Sequence, residues 1–202
     1  MKTCYILRNE ESVLRPVTVD DAEFIVNLRN QAHAKGCIND TSLDVEKQRQ
    51  WIREYLKRDN EHYWIAETLD GRPYGTSSLY HYNAEKKQIE TGRWVRMADA
   101  PTVNFFAGRV QMNDFVFNVL KMHRLVFDVV SMNKQVLKYH RLCGAVETGV
   151  EKNAAIAGGK PVDVVWFEET PESWARIRPR ICRLAGLPDD ITEYGTMEKV
   201  LI

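Results

Sequence analysis

One stretch limits the possible folds more than any other. Met112 to Gly149 reads MNDFVFNVLKMHRLVFDVVSMNKQVLKYHRLCGAVETG. Asn104 to Met122 has helical spacing, Arg124 to Ser131 is a strongly apolar strand, and Asn133 to Cys143 is a helix opened by an Asn and closed by Gly144 as its C-terminal cap. With the strand-like run Gln88 to Met97 ahead of it, the order is strand, helix, strand, helix. That order is a crossover unit, and it requires two parallel strands in one sheet.

The rest of the chain fits an α/β domain around that unit. Ser12 to Val17 is a short extended run, and Thr18 with Asp21 forms a capping-box start for a helix carrying Ala22, Phe24, Ile25 and Leu28, predicted to stop near Lys35-Gly36. A second helix follows Thr41 and Asp44, with Val45, Gln48, Trp51, Ile52, Tyr55 and Leu56 on one face. Tyr63 to Thr68, Tyr74 to Tyr82 and Gln88 to Met97 read as a three-stranded antiparallel meander. Ala145 to Val150 and Val162 to Glu168 read as a closing hairpin around Gly158-Gly159, and a last helix starts at Thr170-Pro171. Nothing divides the sequence into units, so residues 1–188 are expected to be one domain. Residues 189–202 read as an appended tail, with Ile191, Tyr194, Val200 and Leu201 able to pack on the domain or on a neighbour.

Charge narrows the partners. Lys plus Arg and Asp plus Glu each number 28, which leaves no net field to attract nucleic acid or an anionic membrane, so a small-molecule partner is expected. The four cysteines, Cys4, Cys37, Cys143 and Cys182, form no CxxC pair and have no His at ligand spacing, so they read as reduced thiols and no metal is expected. MKTCYILRNEESVLR lacks a signal-peptide core and no run of eighteen apolar residues occurs; the expectation is a soluble cytoplasmic protein.

The Met112–Gly149 stretch resembles the central half of a GNAT N-acetyltransferase. Leu14 to Asn30 (LRPVTVDDAEFIVNLRN) looks like the opening of that family, and Ile89 to Val95 (IETGRWV) looks like its fourth strand with Glu and Gly. The resemblance covers roughly residues 13–175. It implies a mixed, mostly antiparallel central sheet flanked by helices, whose fourth and fifth strands run parallel and then splay. It also implies acetyl-CoA as co-substrate, with main-chain amides of Val95 and Met97 on the pantetheine arm. The family's glycine-rich pyrophosphate loop aligns with Pro101 to Phe106, where the glycines are missing. A helix N-terminus at Thr102, Val103 and Asn104, with Arg96 and Arg109 for charge, is what remains to hold the phosphates.

Acetyl transfer requires a neutral amine, a stabilised oxyanion and a proton for the departing thiolate. Glu90 is the candidate base, or else an ordinary strand carboxylate. His140 aligns with a Tyr that the family uses to protonate the thiolate, and the bland alternative is a hydrogen-bonded core histidine. Asn133 either caps its helix alone or also touches the coenzyme, and Tyr139 is a further coenzyme contact. Arg29, Asn30, His33, Tyr80, His81 and Tyr82 are candidate acceptor contacts.

Two subfamilies share the layout. Val26 to Asn30 (VNLRN), Ile38 and Lys47 to Glu67 (KQRQWIREYLKRDNEHYWIAE) look like the pseudaminic-acid pathway enzymes that acetylate a UDP-linked amino sugar. The favoured acceptor is therefore a UDP- or dTDP-linked amino sugar for surface glycans, with Lys35, Arg29 and Arg93 as a basic rim. The alternatives are a ribosomal-protein-type N-terminal acetyltransferase and a degenerate acyl-CoA-binding module. A homodimer is compatible with all three.

Overall fold

The structure, a computed structural model, describes residues 2–188 and 195–202. Ile191 and Tyr194 lie outside the described residues.

Nine described strands form one sheet: β1 (Thr3–Arg8), β2 (Val13–Pro16), β3 (His62–Glu67), β4 (Pro73–Asn83), β5 (Gln88–Arg96), β6 (Arg124–Val130), β7 (Val146–Ala157), β8 (Lys160–Glu169) and β9 (Thr196–Leu201). Their spatial order is β7-β8-β6-β5-β4-β3-β2-β1-β9. The described neighbours pair antiparallel except β5 and β6, which are parallel. The parallel pair is the one required by the crossover.

Five described α-helices flank the sheet: α1 (Ala22–Arg29), α2 (Val45–Tyr55), α3 (Thr102–Asp114), α4 (Lys134–Leu142) and α5 (Pro171–Leu184). Alternation along the strands assigns the faces. On β3, Tyr63 and Ile65 pack with Ile25 of α1 and Ile52 of α2. On the opposite face, Trp64, Ile89 and Leu125 pack with Val110 of α3 and Ile181 of α5. Phe127 and Phe167 pack with Leu137 of α4.

Local chemistry sets the helix ends. Thr18 N–H donates to Asp21 Oδ2 at 2.7 Å, and Arg15 grips the same carboxylate at 2.8 and 2.7 Å. Asp44 accepts from the N–H groups of Glu46 and Lys47 at 2.9 and 3.2 Å. Gly144 has φ +79°, the left-handed conformation that ends α4.

Three details depart from the sequence reading. α1 ends at Arg29 rather than near Gly36, because Asn30 turns back and donates through Nδ2 to Val26 O at 2.9 Å; turns occupy the following residues. The N-terminal β1 was not anticipated. It pairs along its whole length with β9, from Thr3 opposite Leu201 to Arg8 opposite Thr196, so the described C-terminal residues complete the sheet edge. Finally, α3 closes with a widened π turn over Phe115–Val119, in which Leu120 N–H donates to Phe115 O at 2.9 Å.

Candidate active site

β5 and β6 are in register only from Gln88 opposite Arg124 to Glu90 opposite Val126. Beyond that point β5 continues to Arg96 and β6 to Val130, and no pairing joins them. β5 stays with β4, whereas β6 stays with β8, so the sheet opens into a fork.

A bulge marks the β5 side of the fork. Gly92 faces Ser78 and Val95 faces Thr76, so Arg93 and Trp94 together oppose Ser77. Arg93 has φ +52°. Two hydroxyls clamp the bulge: Thr76 Oγ1 donates to Arg93 O at 2.6 Å and Ser78 Oγ to Gly92 O at 2.8 Å. At Gly92 a Cβ would lie 2.1 Å from Tyr80 Oη, which passes over it, so any side chain there would displace the Tyr80 ring.

A cavity of about 1040 Å³ runs through the fork and is lined from both faces of the sheet. On the α3/α4 face its walls are Phe105, Phe106, Phe127, Tyr139 and His140; on the α1/α2 face they are Ile25, Trp51, Tyr63 and Tyr80. The turns after α1 line the second chamber and are tied to the tip of the β7–β8 hairpin, where Asp40 accepts from Gly158 and Gly159 N–H at 2.9 and 2.8 Å.

Charge in that second chamber is divided. Arg93 lies over the rings of Tyr80, Trp51 and Tyr63 at 4.4, 4.9 and 5.6 Å, and its buried Nη1 has no hydrogen-bond partner. Arg29 is held by Thr41 Oγ1 at 2.6 Å and Asn39 O at 3.2 Å. Burial lowers its proton affinity, and the nearby Arg93 charge lowers it further. Neither arginine has a carboxylate in ion-pair range among the described residues. The acidic side holds Asp128 on β6 and, behind it, Glu90, whose Oε2 lies 2.9 Å from His81 Nδ1. Burial, and secondarily Glu90, raises the pKa of Asp128.

The sequence of residues 12–146 matches the family of the acetyltransferase (GNAT) domain. The chain belongs to the GNAT acetyltransferases. No relative among curated proteins matches by sequence. Among solved structures it is similar to FdhC, described as a nucleotide-linked sugar GNAT, with 24% identity, a TM-score of 0.75 and coverage of 91% of this chain and 99% of that one. It is also similar to a variant of the spermidine N-acetyltransferase SpeG from Vibrio cholerae, with 18% identity, a TM-score of 0.69 and coverage of 82% and 97%. Both likenesses concern the fold.

As a GNAT N-acetyltransferase the protein takes its acetyl group from acetyl-CoA, and the fork has features that fit the coenzyme arm. Met97 N–H is already spent on Tyr74 O at 2.7 Å. Donor directions alternate along a strand, so Val95 also points at β4 and the N–H of Arg96, between them, points into the gap. The expectation of free Val95 and Met97 amides is thus corrected to Arg96, and Met97 does not line the cavity.

At the phosphate end, Thr102 opens α3 and lines the cavity, whereas Val103 and Asn104 do not. Asn104 Nδ2 is turned inward onto Glu11 O. Aromatic rings occupy the place of the missing glycines: Phe105 stacks on Trp94 at 4.7 Å, with the Arg96 guanidinium 5.6 Å from the Phe105 ring. Arg109 is not a phosphate ligand, since it is 1% exposed and paired with Glu169 in the core.

The remaining expectations divide in the same way. Arg29, His33, Tyr80, His81, Asn133, Tyr139 and His140 line the cavity; Asn30, Tyr82, Lys35 and Glu90 do not. Asn133 caps α4 through Val136 N–H at 3.3 Å and donates Nδ2 to Cys37 O at 3.3 Å, so its side chain is already engaged. His140 is 6% exposed beside Phe127, with ring centroids 4.4 Å apart. Burial, then the charge of Arg109, lowers its pKa well below the usual value. These surroundings favour the uncharged imidazole. Tyr139 Oη is likewise buried, with Arg109 5.1 Å from its ring. Asp128 was missed, although an acid inside the apolar run RLVFDVV is an identifiable signal.

Proposed function

We propose that this acetyltransferase acts on the amino group of a nucleotide-linked amino sugar, a UDP- or dTDP-sugar of the kind used for surface glycans. The carrying observation is the divided charge of the acceptor chamber, with Arg29 and Arg93 lacking carboxylate partners among the described residues on one side and Asp128, with Glu90 behind it, on the other. A nucleotide-linked amino sugar carries a diphosphate and an ammonium, one for each side. A polyamine offers only cations and leaves two sheltered guanidinium groups without a counter-charge. The aromatic wall of Trp51, Tyr63 and Tyr80 supplies a surface for a sugar or base ring. The likeness to a nucleotide-linked sugar GNAT supports the same reading.

Donor and acceptor meet at the fork in this reading. The Arg96 N–H and the α3 N-terminus at Thr102 hold the coenzyme, and the acceptor enters beneath the β7–β8 hairpin. The test is acetyl-CoA-dependent thiol release with UDP- and dTDP-linked 4-amino-4,6-dideoxy sugars, spermidine and Ser- or Ala-terminated peptides at equal concentrations. Turnover of the nucleotide sugars at least ~10-fold above the others is expected. Turnover confined to spermidine or to peptides removes the proposal.

A further inference from the structure

Two carboxylates stand at the acceptor chamber, and only one of them lines it. Glu90 belongs to the last register pair before the strands part, does not line the cavity, and is bridged to His81. Asp128 lies two residues further along β6, beyond that pairing, and lines the cavity. No other side chain among the described residues hydrogen-bonds or ion-pairs with it.

We infer that Asp128, not Glu90, takes the proton from the acceptor ammonium, and that Glu90 is a positioning residue acting on Asp128 by its charge. The inference rests on the acetyltransferase activity alone and holds for any amine acceptor. The acceptor ammonium gives one proton to Asp128, and the freed nitrogen bonds the acetyl carbon as the carbon–sulfur bond breaks. A second proton leaves nitrogen and ends on the coenzyme sulfur as the thiol. Asp128 then returns its proton to water, so one ammonium and one thioester yield an amide, a thiol and one proton.

The groups around Asp128 favour a base with raised proton affinity. Burial is the first cause of the raised pKa, followed by Glu90 from β5 and, more weakly, Glu151 from β7. Tyr80 from β4 also faces it; burial first, then Glu90, raises the phenol pKa and keeps it protonated. His81 from β4 pairs with Glu90 at the rim, and Arg93 sits beyond the Tyr80 ring. A carboxylate surrounded in this way accepts a proton more readily than an exposed one.

The experiment is a carbon-13 NMR titration of carboxyl-labelled aspartates in the full chain, run beside kinetics with whichever panel amine turns over. Two aspartates, the core Asp114 and Asp128, are expected to titrate above the ordinary value of about 3.9. One of these two signals should vanish in Asp128→Asn, and the same one should move to lower pH in Glu90→Gln, because removing the neighbouring negative charge eases ionisation. Asp128→Asn should lose ~10²–10⁴-fold in kcat, with the KM for acetyl-CoA unchanged and the acidic limb of the pH profile gone. Glu90→Gln should lose less turnover than Asp128→Asn, with its acidic limb retained and displaced to lower pH. An Asp128 signal at the ordinary value overturns the inference, as does a Glu90→Gln variant that loses both turnover and limb while Asp128→Asn keeps them. The titration needs no acceptor, so a mistaken choice of amine cannot be confused with a mistaken base.

Discussion

Two sheltered arginines, Arg109 in the core and Arg93 in the fork, have opposite surroundings. Arg109 is ion-paired with Glu169, whose second oxygen accepts from Asn113 Nδ2 at 2.7 Å. Its Nε and Nη1 have no hydrogen-bond partner, and the guanidinium packs on the rings of Tyr139 and Trp174. Arg93 is also packed on aromatic rings, but no carboxylate among the described residues lies in ion-pair range of it, and it borders open space. A sheltered charge with its counter-charge in the fold is a closed structural unit. A sheltered charge that lacks one, at the wall of a cavity, is matched by a ligand that brings it.

Removing Glu169 should have the largest effect on stability. Glu169→Ala leaves the Arg109 charge unopposed in the core and should cost about 3–5 kcal/mol in urea unfolding. Arg93→Met should differ in kind: its unfolding free energy should stay within about 1 kcal/mol of the parent, because no ion pair is lost and the stem still packs. Its KM for a nucleotide-linked amine should rise ~10–100-fold, the value of a hydrogen bond to a charged group. Equal stability losses in the two variants would break the contrast.

The smallest effect concerns pH. His140 and His62 both have pKa values lowered chiefly by burial, His62 to about 4. Below about pH 6.5 the unfolded chain binds protons that the folded one refuses, so stability falls as pH drops, by at most ~1.4 kcal/mol per unit for each histidine. For His62 this loss levels off near pH 4. His140→Phe should remove about half of the acid-side slope in urea melts between pH 6 and 4.5. An unchanged slope would mean that His140 is charged in the folded protein.

The crossover was legible because its signals are local: an apolar strand, an Asn cap and a glycine that takes φ +79°. β1 and β9 were not, because each gains its reason to be a strand from the other. β9 is largely exposed, and only Cys4 and Leu7 of β1 are buried, without strict alternation. Inside the site, the family resemblance pointed to Glu90, Gly92 and the cavity-lining His140, and residue types to the cavity-lining Tyr80 and Arg29. The direction of the amides at Val95 and Met97 could not, because a bulge at Arg93 and the pairing with Tyr74 set it. Arg109 misled for a related reason, since Glu169 is distant in sequence and only the fold joins them.

Isothermal calorimetry with dTDP and UDP tests the claim about Arg93 most directly. The account expects both nucleotides to bind the parent protein, to bind more weakly as salt rises, and to lose ~10-fold or more in affinity in Arg93→Met. Nucleotide binding of undiminished strength in that variant, or none to the parent, would contradict it.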